Sequence, residues 1–285
     1  MVDSIGELKL HGLGFDFAGM TFRTLTDLRL QDVSFESKIK AEELLMSLSS
    51  ALQLYEIRLI FIATLGDVVI STSAYKFPVL LSSLRVLYLE DLYQDLLNLV
   101  LESIKPGSYY VVLSPTRKCL QIIHPGGPET VGLYGLRAQA TRVNTMMLTP
   151  HLGFPGQDIC AFLELFPNLT TLSIDSSRLN SNYLTQFIRP ADSNTIFPKI
   201  AKLTISSCSI ATESLTVLQE VIASYPIEVL GLGLTVTWSL SGMNYSQNVL
   251  SIYPLTNPIR DWLSNTVPKI IWIHNSAPLI FDLPS

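Results

Sequence analysis

The chain has 285 residues, of which 48% are hydrophobic and only 15% charged, with a net charge of −5 and a mean hydropathy of +0.35. So apolar a chain must bury most of its length, which excludes a predominantly disordered protein. The acidic balance, with no basic run longer than pairs such as Arg117-Lys118, argues against a nucleic-acid partner. Three scattered cysteines, Cys119, Cys160 and Cys208, make no disulfide framework and point to a reducing compartment.

From the N-terminus, Met1 to Leu10 carries acids and no apolar run of signal-peptide length, so a cytoplasmic or nuclear location is expected. A phrase of the form apolar-x-x-apolar-x-apolar then recurs. It reads Ile5-Gly-Glu-Leu8-Lys-Leu10, Leu25-Thr-Asp-Leu28-Arg-Leu30, Leu54-Tyr-Glu-Ile57-Arg-Leu59 and Leu84-Arg-Val-Leu87-Tyr-Leu89. Further on it returns as Leu169-Thr-Thr-Leu172-Ser-Ile174, Ile200-Ala-Lys-Leu203-Thr-Ile205 and Ile227-Glu-Val-Leu230-Gly-Leu232. The starts differ by 20, 29 and 30 residues in the first group and by 31 and 27 in the second, near the repeat length of leucine-rich repeats, about 20–29 residues. Val143 to Leu148 and Val267 to Ile273 read as degenerate copies, and Tyr109 to Leu113 as a short buried strand.

In each phrase the fourth and sixth positions face inward along a short strand and the residue between them faces out, as a period of two requires. Helical spacing is expected over Ala41 to Leu54, Leu96 to Ile104, Asp158 to Phe166 and Ser214 to Ser224, with Asp158 as an N-terminal cap. Phe-Pro-Asn-Leu at 166–169 and Phe-Pro-Lys-Ile at 197–200 place a proline just before a strand, where no ladder bond is forfeited. Gly12-Leu-Gly14 reads as a turn, lacking the third glycine of a nucleotide-binding fingerprint. Residues 114–142, rich in Pro and Gly, predict a loop insertion between two blocks of repeats. The stretch from Val229 to Ile259 has no charge, but its amides and Pro254 argue against a membrane span. The tail Ala277 to Ser285 is expected to cover the last repeat.

One strand and one helix per unit bury both faces only by stacking. The expected fold is therefore an α/β leucine-rich-repeat solenoid over 1–285, its curved parallel sheet concave and its helices on the convex side. The clearest unit, Ile200-Ala-Lys-Leu203-Thr-Ile205-Ser-Ser-Cys208-Ser-Ile210, sets a cysteine three places past the last strand residue. That arrangement resembles the cysteine-containing leucine-rich repeats of F-box proteins, and the irregular units with Phe-Pro-x-Leu/Ile openings resemble the repeat region of fungal F-box-type proteins. The resemblance implies a substrate receptor, whose F-box docks on the Skp adaptor of a cullin ubiquitin ligase while the repeats hold the target. An F-box usually opens with Leu-Pro, and the first proline here is Pro78, inside the repeats. This departure implies either a truncated or mispredicted member of that family or a repeat-only relative, linked to a ligase only indirectly.

No motif of a phosphate loop, nucleophile elbow or zinc protease occurs. His11, His124, His151 and His274 share no ligand spacing with a cysteine, so neither metal nor cofactor is expected and the chain is not read as an enzyme. Cys208 fits a buried, inert position, and the tripeptides at Asn168 and Asn244 are discounted as glycosylation sites without an export signal. The outward strand positions form two columns. One runs Glu7, Asp27, Glu56 and then Val86, the other Lys9, Arg29, Arg58 and then Tyr88, with Glu90 beside them. These residues are the candidate surface for a protein or peptide ligand, with Tyr88 as an aromatic anchor; the later phrases, carrying Thr171, Ser173, Lys202, Thr204, Val229 and Gly231, make the face neutral. The alternatives are a non-repeat α/β enzyme and a repeat fragment without a partner.

Overall fold

The structure, a computed structural model, describes residues 5–12, 14, 16–64, 78–124, 127–130, 140–149, 159–190, 197–240, 243–248 and 257–273. It is α/β, with mostly parallel sheet flanked by helices, and divides into two compact units, Met1–Asn144 and Thr145–Ser285. The expected cap at Asp158 and the tail from Ala277 lie outside the described residues.

In the first unit the recurrent phrases become β1 (Glu7–His11), β2 (Asp27–Gln31), β4 (Glu56–Ile60) and β6 (Val86–Glu90), joined by β7 (Tyr110–Ser114). All five are parallel, in the order β1-β2-β4-β6-β7. Their register is unbroken: Leu8, Leu28, Ile57, Leu87 and Val111 form one cross-strand column, and Leu10, Leu30, Leu59, Leu89 and Leu113 another. From β2 onward both columns are buried, whereas Leu8 and Leu10 are half-buried. A one-residue slip would turn every leucine to the opposite face, so the alternation itself enforces this pairing.

Two minor strands, β3 (Ser34–Phe35) and β5 (Ala63–Thr64), pair beside the main sheet. Helix α1 (Lys38–Ser47) follows β3, and α2 (Gln94–Ser103) follows β6. Leu44 and Leu45 of α1 and Leu96, Leu97 and Val100 of α2 belong to the buried core. The first helix starts earlier and stops sooner than its spacing predicts. Ser37 caps it by accepting from Lys40 N at 3.4 Å. At the far end the Ser47 hydroxyl donates to the carbonyls of Glu43 and Phe17, and Ser50 Oγ accepts from Phe22 N at 2.8 Å. Serine hydroxyls that compete for backbone groups end helices in this way.

The 114–142 segment is more regular than its proline and glycine content suggests. After Ser114 a 3-10 turn, Arg117–Leu120, is capped by Thr116, and β8 (Gln121–His124) pairs antiparallel with β9 (Gly127–Thr130). Residues 125–126 and 131–139 lie outside the described residues.

The second unit stacks β10 (Thr145–Leu148), β11 (Thr171–Asp175), β13 (Lys202–Ala211), β14 (Val229–Leu240) and β16 (Lys269–Trp272) in parallel. The short β12 (Arg178–Leu179) pairs with the end of β13, and β15 (Met243–Asn248) runs antiparallel to β14. Among the described residues they are accompanied by α3 (Ile159–Glu164), α4 (Ser181–Thr185), α5 (Leu215–Ser224) and α6 (Asn257–Thr266). Both Phe-Pro openings act as predicted: Phe166 and Phe197 are buried, and the chain enters β11 and β13 a few residues later. Much of the charge-free stretch is the β14-β15 pair, and among the described residues no helix is long and apolar enough to cross a membrane.

A left-handed residue not anticipated from the sequence recurs just past β1, β2, β4, β6 and β11 and, at Ser207, inside β13 where its pairing with β14 shifts register. Gly12, Asp32, Phe61, Asp91, Ser176 and Ser207 all have φ between 51° and 69°. Five of their N–H groups donate to the end of the next strand: Gly12 to Gln31 O, Asp32 to Ile60 O, Phe61 to Glu90 O, Asp91 to Ser114 O and Ser176 to Ser206 O, at 3.0–3.2 Å. At the five positions that follow a strand, the left-handed residue ends the strand while keeping one more ladder bond. Exposed Ser207 has no Cβ-dependent reason to be there. Ser207→Gly is therefore expected to raise stability by about 0.5–1 kcal/mol, the left-handed penalty of an L-residue less the chain entropy of glycine. All three tryptophans lie in this unit, at 238, 262 and 272, so a fluorescence melt should show Tm rising by about 1–4 °C. A lower Tm would contradict the left-handed turn.

Candidate functional site

In-register stacking aligns the outward side chains as strictly as the leucines. Glu7 pairs with Asp27 and Asp27 with Glu56, while Lys9 pairs with Arg29 and Arg29 with Arg58. Like charges thus stand on neighbouring strands about 4.8 Å apart. Together with Leu28 these six residues line an open depression of about 230 Å³ on β1, β2 and β4.

The three rows differ in how their charges are satisfied. In β1, Lys9 Nζ lies 2.5 Å from Glu7 Oε1, and in β4, Arg58 Nε lies 2.7 Å from Glu56 Oε1. In β2 the acid and base turn to neutral groups instead. Asp27 Oδ2 accepts from the Thr26 hydroxyl at 2.6 Å, and Arg29 Nη2 donates to Gln31 Oε1 at 2.8 Å. Among the described residues no ion pair reaches Asp27 or Arg29. The centre of the depression therefore holds one anion and one cation without charged partners among the described residues.

The fourth row, on β6, flanks the site. Tyr88 is 8% exposed and Val86 4%, so Tyr88 presents no open ring to a partner. Its hydroxyl donates to Glu90 Oε2 at 2.8 Å, and the Arg58 guanidinium sits 5.9 Å from its ring centre. Burial, reinforced by the negative charge of Glu90, pushes its phenol pKa well up. Glu90 is held at the rim by this contact. In the second unit the row corresponding to Lys9, Arg29 and Arg58 is covered: Ser173 and Thr204 are buried, the Ser173 hydroxyl lacks a hydrogen-bond partner among the described residues, and a Cβ on Gly231 would come within 3.0 Å of Ile273 Cδ1, while Thr171, Lys202 and Val229 are half-buried. The open charged surface belongs to the first unit's β1, β2 and β4.

A second charged cluster lies at the strand ends. Asp91, 6% exposed, accepts from Thr116 and forms an ion pair with Lys118. The Lys118 ammonium also stands 5.7 Å from the Phe61 ring and 5.5 Å from the Tyr93 ring. No sequence pattern announced this group, although a polar or glycine residue at the second place past the strand leucine recurs in Gly12, Asp32, Asp91, Ser176 and Ser207.

Of the histidines, exposed His11 places Nδ1 3.3 Å from Asp32 Oδ2, His124 lies in β8, and His151 and His274 are outside the described residues. Among the described residues no group of His, Cys, Asp and Glu could hold a metal ion. Cys208 is buried, its thiol 3.1 Å from Ser206 O, and burial raises its pKa to about 11. Cys119, more deeply buried, is pushed up to about 12. Compared with known proteins, the chain matches no family model, no curated protein and no solved structure.

Proposed function

We propose that this chain is a protein-interaction module of leucine-rich-repeat type, which holds a segment of a partner on the outer, concave face of β1, β2 and β4. The observation that carries this reading is the segregation of charge: three acids and three bases in register, bordering an open depression. Stability does not explain it. Exposed ion pairs contribute about 0–1 kcal/mol each, and stacking like charges on adjacent strands is unfavourable, so alternating signs down each column would serve solubility better. A complementary partner gains from the segregated arrangement, because aligned charge steers and orients its approach. The resemblance to F-box repeats extends the proposal to a substrate receptor with an indirect link to a Skp-cullin ubiquitin ligase in the cytoplasm or nucleus.

The test is peptide display against the immobilised full chain, with selected peptides then titrated against a variant in which Glu7, Lys9, Asp27, Arg29, Glu56 and Arg58 are all serine. The variant should melt within a few degrees of the parent, and the peptides should bind it at least tenfold more weakly. Equal affinity for a folded variant would overturn the assignment. Raising salt should weaken binding to the parent, since screening shortens the reach of exposed charges.

A further inference from the structure

We infer that the ligand is an extended peptide segment carrying one basic and one acidic side chain two residues apart, lying along β2 with its base on Asp27 and its acid on Arg29. This rests on the docking reading above and adds the ligand's chemistry. The rows on either side are already neutralised from within, Lys9 by Glu7 and Arg58 by Glu56. Among the described residues Asp27 and Arg29 have only neutral partners, a threonine hydroxyl and a glutamine amide. Both are half-buried, where an incoming opposite charge is screened less than at an open surface.

The spacing selects the ligand's conformation. Asp27 and Arg29 are two residues apart on one strand, a separation of about 6.6–6.8 Å, which an extended peptide reproduces between its own residues i and i+2. The flanking strands stand about 9.6 Å apart, two strand spacings, which admits one extended chain between the neutralised rows. A helix, with a diameter of about 10–12 Å, is too wide to reach the floor between them. Either chain direction satisfies the pair, since reversing the peptide exchanges the two ends, so the spacing and the opposite signs are what the site reads.

The test uses capped synthetic peptides on one neutral scaffold, titrated against the full chain by fluorescence polarisation. They carry Lys and Glu two apart, Lys and Glu adjacent, two Lys two apart, or two Glu two apart. The first should bind the parent at least tenfold more tightly than the other three. Arg29→Glu turns the central pair into two acids, and the preference should invert, with the two-lysine peptide binding best. Arg29→Gln is the milder variant should the first fail to fold, and it should lose the preference for glutamate without gaining one for a second lysine. Peptides that depend on the six charged residues but ignore spacing, or a preference unmoved by either Arg29 variant, would overturn this inference and leave the docking surface standing. Binding that is indifferent to the six-serine variant would overturn both.

Discussion

Lys118→Met is expected to lower the stability of the first unit by about 2–3 kcal/mol, below the roughly 3–5 kcal/mol typical of breaking a fully buried pair because Lys118 keeps some solvent contact. The side chain of Asp91 is 8% exposed and that of Lys118 35%. Removing the ammonium leaves the carboxylate facing Thr116 alone and strips the cation from between Phe61 and Tyr93. Adding Asp91→Asn to that background should restore part of the loss, since a neutral amide needs no counter-ion. A double-mutant cycle by urea denaturation should return a coupling of at least about 1 kcal/mol, and strict additivity would contradict the pairing. Far-ultraviolet circular dichroism must carry the signal, because the first unit contains no tryptophan.

Leu30→Ala and Leu10→Ala should differ sharply although they occupy one cross-strand column. Leu30 is fully buried and should lose about 3–4 kcal/mol, transfer and cavity contributions together. Leu10, half-buried on the outermost described strand of that sheet, should lose only about 1–2 kcal/mol, since part of its surface is already in water. Equal losses would contradict the place of β1 at the edge of the column.

The strands and their stacking were legible because each phrase has the same internal length. Once Leu28 and Leu30 point inward, Ile57, Leu59, Leu87 and Leu89 have one pairing that buries them all. The two charged columns follow from the same arithmetic, so their composition could be read before any coordinates. What stood on the columns could not. That Arg29 turns to Gln31 while Arg58 turns to Glu56 depends on side-chain torsions of nearly equal energy, decided by neighbours such as the Tyr88 ring. The burial of Tyr88 and Ser173 is likewise tertiary, since the same outward position is exposed in Lys9 and Arg58. The left-handed turns escaped notice because Phe61 and Asp91 share a backbone requirement without sharing chemistry, and α4, with five residues, is too short for a helical period to register. In 114–142, the proline and glycine content hid the short strands, and Gly127 and Pro128 themselves lie in β9.

Site-specific photo-cross-linking detects a ligand on the charged face of β1, β2 and β4 most directly. A benzophenone side chain would replace His11, exposed two residues beyond Lys9 on the same face, or Ile39, exposed on α1. With a display-selected peptide bound, cross-linking is expected from position 11 and none from position 39. Cross-linking from position 39 alone would place the ligand on the helical side and contradict docking on the charged face.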